Sequence, residues 1–166
     1  MISLASIGRQ QPVSEDWGSM GRQDSQSKAC GGGCSWVELQ PFQLEMARLD
    51  ETEPVAAGYY RRLMKRAEGA GLGEEEYDAP MGLRLPRKNK PWIAEFKTVD
   101  SADKLDIRLY WGEAPIDQVS LVACLIGSKR RRSAADLVRQ NSHITKAMDA
   151  LQRWCNKEGH TCRKLR

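Results

Sequence analysis

The chain has 166 residues, a formal net charge of +4 and 40% hydrophobic residues, enough for one modest core and a tail. No apolar run reaches the roughly 18 residues of a membrane-spanning helix, and no charged start leads into a long apolar stretch, so neither a membrane span nor a secretory leader is expected. The expected compartment is the cytoplasm. Charge divides along the chain: residues 1–80 hold 8 Lys/Arg against 13 Asp/Glu (−5), and residues 81–166 hold 18 against 9 (+9), summing to +4. An acidic front and a basic back direct the second half towards a polyanion.

Residues 1–34 are rich in Gln, Ser and Gly and follow no sustained period, so they read as a disordered tail. Order is expected from Ser35. "SWVEL" is a short strand, and Pro41 opens a helix with Phe42, Met46 and Leu49 on one side. Pro54 opens a second helix, whose apolar face runs from Val55 to Ala67 and ends at Gly69, Gly71 and Gly73. "EEEYDAP" is an exposed acidic connector.

The pattern then becomes that of strands. In "WIAEFKTV", Trp92, Ala94, Phe96 and Thr98 share one side, and Ile93, Glu95 and Lys97 the other. In "LDIRLYW", Leu105, Ile107, Leu109 and Trp111 point inward, with Asp106, Arg108 and Tyr110 opposite. "VSLVACLI" is a continuous apolar run, as a central strand requires, with Cys124 as a small buried hydrophobe. The three read as an antiparallel meander. A last helix follows, with Ser133 and Asp136 as a capping box, Gln140–Ser142 as a break, and Ile144, Ala147, Met148, Leu151, Trp154 and Cys155 as its core stripe. The expected fold is α+β: about four strands, two helices before the meander and one after it. The expected limits are 35–158 for the domain and 159–166 for a basic C-terminal tail.

Five cysteines, an odd number, argue against a disulfide framework, so reduced thiols are expected. A zinc site from Cys30, Cys34, Cys155, Cys162 and His160 does not follow common finger spacings, and no metal is expected.

From Trp36 to about Trp154 the chain resembles the RelE/HigB-like toxins of bacterial toxin–antitoxin pairs, phage-type members included. The resemblance rests on a helical pair before "WIAEFK", then "IRLYWG", then "LVACLIGSKRRR", then a helix with Ile144 and Ala147 near its start. The sequence departs from the family in having Lys97 where an Arg is usual, a longer loop after Lys129, and no Thr-Pro before the last helix.

The resemblance implies metal- and cofactor-independent cleavage of mRNA on the ribosome, inhibition of translation, and a cognate antitoxin as partner. The 2′-hydroxyl attacks the adjacent phosphorus, which needs a base, cations for the crowded phosphate and an acid for the 5′ oxygen. On this reading Lys97 is a base or phosphate contact, Arg108 stabilises the phosphorane, and Lys129 and Arg131 hold neighbouring phosphates. Tyr110 stacks on a base or donates a proton, and Arg84, Lys88, Lys90, Arg130 and Arg132 complete the RNA-binding set. The plainer alternative pairs Lys97 and Arg108 with Glu95 or Asp106 as solvated strand residues, and leaves His143 on the surface of the last helix. A non-catalytic binder on the same fold, either a gyrase-poisoning toxin or a phage or plasmid regulator, would use the same patch.

Overall fold

The computed structural model describes residues 26–81, 89–98, 105–114, 119–130 and 134–165. Among these residues, three α-helices and a mixed four-stranded sheet make an α+β fold. The order is β1 (Ser35–Glu38), α1 (Gln40–Thr52), α2 (Pro54–Glu68), β2 (Ile93–Lys97), β3 (Leu105–Glu113), β4 (Ser120–Arg130) and α3 (Ala134–Glu158). Strands lie in the order β1-β4-β3-β2. The last three form the expected antiparallel meander, and β1 pairs parallel with β4.

Local sequence accounts for the helices. Phe42, Met46 and Leu49 form the buried stripe of α1, and Ala56, Ala57, Tyr60, Leu63, Met64 and Ala67 that of α2. Beyond α2, Gly71 adopts a φ of 95°, and a Cβ there would strike the Cys30 carbonyl. The expected break at Gln140–Ser142 does not occur, and α3 is continuous. Its stripe of Ile144, Ala147, Met148, Leu151 and Cys155 is buried. That burial outweighs the low helix propensity of Asn and Ser.

The sheet is covered on both faces. One carries Ala94, Phe96, Leu109 and Trp111, all fully buried, and is closed by the α1–α2 pair. The Trp36 ring meets those of Phe96 and Trp111, and its indole N–H donates to the Met64 carbonyl at 3.0 Å. α3 closes the other face, where a Cβ on Gly112 would strike Leu151 and one on Gly127 would strike His143. β4 carries one extra residue, Cys124, as pairing steps from Tyr110↔Leu125 to Trp111↔Ala123.

Order reaches further than the expected limits. Residues Lys28–Gly31 form a 3-10 turn, with Ala29 and Cys34 buried. The segment after α3 also packs: Cys162 and Leu165 are buried, and Lys164 bridges to Pro91. Glu113, 1% exposed, draws these two segments together. It accepts hydrogen bonds from the Ser27 hydroxyl (2.7 Å), the Lys28 amide (2.9 Å) and Arg163 (2.9 Å). Arg163 also lies 4.2 Å above the Trp92 ring. Patterning misses this because the binding groups are a carboxylate and an arginine, not an apolar period.

Cys155 and Cys162 form a disulfide, contrary to the expected reduced thiols. An odd count of five leaves room for one bridge, since Cys30, Cys34 and Cys124 are the free thiols. The bridge ties the segment after α3 to that helix. Closing so short a loop should contribute about 2 kcal/mol. Urea unfolding with and without dithiothreitol should show that loss in the parent and no response in a Cys155→Ser/Cys162→Ser double variant.

Candidate functional site

Antiparallel pairing sets Lys97 opposite Arg108 and Glu95 opposite Tyr110, so these four share the face under α3. On the other side of β3, Arg108 pairs with Gly127 and Asp106 with Lys129. Three of the expected catalytic positions, Lys97, Arg108 and Lys129, therefore converge at one end of the sheet.

The surroundings there differ from those that the expected phosphate and base contacts of Arg108 and Tyr110 require. α3 covers this face, leaving Arg108 8% exposed and Tyr110 and Glu95 fully buried. Arg108 donates to the Glu95 carboxylate and lies 3.8 Å from that of Asp106. Lys97 stays exposed at the rim, pairs with Asp78 and lies 3.9 Å from Glu95. Asp78 reaches it because residue 78 adds a further bridge beside Glu95, extending the sheet past β2. Burial, with the Glu95 carboxylate alongside, raises the Tyr110 pKa far above that of a free phenol. Tyr110 is thus a buried phenol rather than an open stacking platform. Arg108 takes the Glu95 and Asp106 partners of the plainer alternative but is buried rather than solvated, and Lys97 pairs with Asp78 instead. A buried carboxylate requires a cation, and Arg108 is the one its register supplies.

Among the other expected residues, Lys129 and Arg130 are the last two of β4 and are described by their backbone alone. Arg84, Lys88, Arg131 and Arg132 lie outside the described residues. Lys90 is exposed but precedes β2, whereas Lys97 ends it, so the strand holds the two apart. Its carbonyl instead accepts from the Leu165 amide at 2.9 Å. Disulfide formation removes Cys155 and Cys162 as thiolate metal ligands.

A second cluster was not expected. Gln40, Pro41, Leu44, Glu45, Leu125, Ile126, His143 and Lys146 line a cleft of about 510 Å³ between α1 and α3, beside β4. That lies within the roughly 300–1,000 Å³ of small-molecule sites. His143 packs over Gly127 with its ring 6.3 Å from that of Tyr110. Burial pulls its pKa below the usual value, helped by the Lys146 and Arg139 cations and opposed by Glu45. The signal in the sequence was the spacing of Arg139, His143 and Lys146, four and three residues apart, which shares one helix face.

No protein-family model matches this chain, and no curated protein or solved structure matches it either.

Arg108→Ala would strand the buried Glu95 and should cost about 3–5 kcal/mol in chemical denaturation. Replacing both partners with apolar residues (Glu95→Leu/Arg108→Met) should recover most of that loss. The lowered His143 pKa makes the imidazole a source of acid sensitivity, because the unfolded chain binds the proton more readily. Its stability contribution is full above the ordinary value of 6.5 and falls as pH drops below it towards the folded pKa. Melting curves between pH 7.5 and pH 5 should fall less steeply for His143→Gln than for the parent.

Proposed function

We propose that this protein is a toxin of the RelE/HigB type, a metal-independent endoribonuclease that cleaves mRNA on the ribosome and is held in check by an antitoxin. One observation carries the reading: strand register brings Lys97, Arg108 and Lys129 to one end of the sheet, at the start of the "KRRR" run. The order of strand, two helices, three-stranded meander and helix, on which the resemblance was drawn, supports it. So does the excess of +9 after residue 80. Within this reading Arg108 positions the sheet end by holding Glu95, and Lys97 with the residues from Lys129 onward meets the phosphates.

A second reading is favoured by the carboxylates. With Arg108 paired to Glu95 and Lys97 to Asp78, the sheet end carries less uncompensated charge than a phosphorane demands. A non-catalytic binder, which poisons or regulates by occupying a partner, needs no such excess.

Expression in bacteria should arrest growth. The purified protein, mixed with mRNA with and without ribosomes, should leave fragments ending in 2′,3′-cyclic phosphate, matched by 5′-hydroxyl ends. Growth arrest with intact RNA would favour the binder, and absence of both effects would rule out the toxin.

A further inference from the structure

We propose that the cleft between α1 and α3 is a nucleotide-binding site in which His143 accepts the 2′-hydroxyl proton and Lys146 holds the phosphate; this rests on the ribonuclease reading and locates its chemistry. Lys97 and Arg108 at the sheet end already lie against carboxylates, so the proton transfer is assigned to another group. Among the described residues, this cleft sets an imidazole and the Lys146 ammonium beside an open cavity, with Arg139 near enough to act on the imidazole.

The lining suits the ligand. Leu44, Leu125, Ile126 and Pro41 give an apolar wall for a base, and Gln40 a hydrogen-bonding amide at its edge. Lys146 lies three residues from His143 and Arg139 four residues before it, so one helix face presents two cations flanking the imidazole. Glu45 enters from α1 as the acidic group facing them, and the Tyr110 ring backs the imidazole from β3. The neutral imidazole favoured here is the form that takes a proton. β4 continues from Leu125 and Ile126 to Lys129, so a strand of RNA leaving the cleft along β4 meets the basic end of the sheet.

The chemical step balances within this set. The 2′-hydroxyl proton passes to the His143 imidazole as the O2′–P bond forms. The P–O5′ bond breaks, and the departing O5′ takes a proton from the Lys146 ammonium. The products are a 2′,3′-cyclic phosphate and a 5′-hydroxyl. Proton exchange with water returns both side chains to their starting forms.

Two measurements test this. In the first, adenosine 3′-monophosphate is titrated into the full-length protein while the His143 ring protons are followed by NMR. The imidazole pKa should rise by about one unit as the phosphate approaches, and Lys146→Ala should abolish the rise. In the second, mRNA cleavage on ribosomes should fall about 100-fold in His143→Gln and lose its acidic pH limb. The exposed Lys146→Ala should fall by at least tenfold, with circular dichroism unchanged in both. If the parent cleaves RNA and both variants cleave within threefold of it, the His143 site is wrong and the ribonuclease reading stands. If the parent cleaves no RNA, the ribonuclease reading fails and the catalytic role of His143 fails with it. A His143 resonance indifferent to the nucleotide overturns the binding site in either case.

Discussion

A carboxylate with no exposed surface cannot stay ionised in a protein interior without a cation beside it, and Arg108 fills that place for Glu95. Much of the second half of the molecule depends on this pair. It lies across the β2–β3 junction and beneath α3, so it favours the register that sets Lys97 against Arg108. A one-residue slip would turn every side chain of β2 to the other face and move Glu95 into the apolar layer of Phe96 and Trp111. The apolar stripe of α3 then closes over the pair.

Glu113 plays a comparable part near the chain ends. Its oxygens gather donors from the neighbouring Ser27 and Lys28 and from Arg163, far from both in sequence. Hydrogen bonds to an ionised acceptor are roughly twice as strong as neutral ones. They hold two polar segments that have little apolar surface of their own, and the Cys155–Cys162 bridge adds a covalent tie. Two buried carboxylates thus organise the molecule, one inside the meander and one where the terminal segments meet it.

These pairings redistribute the positive charge that first suggested a polyanion partner. Arg108, Arg163 and Lys97 all lie against carboxylates. Cations committed to a neighbour contribute less to a distant phosphate than composition implies. The field that steers an anion comes from exposed groups such as Arg139 and Lys146, which line α3 beside the cleft.

Local patterning was enough for the elements. Alternation in "IAEFK" and "IRLYW" assigned the faces of β2 and β3 correctly, because a strand's period is two wherever it pairs. Helical spacing located all three helices, and the apolar run "LVACLI" was placed within the sheet, between β1 and β3. What the sequence could not determine is what lies opposite each polar residue. Lys97 and Arg108 were legible as neighbours on one face, but whether that face met solvent or α3 depended on where a helix more than twenty residues later would dock. The buried roles of Glu95 and Glu113, the Cys155–Cys162 bridge, the parallel pairing of β1 with β4 and the His143 cleft all arise from contacts between distant segments. Burial and charge compensation are properties of such contacts. The sequence therefore determined the elements, their order and the faces of the strands, while only the tertiary structure decided which charges were matched and which stayed open.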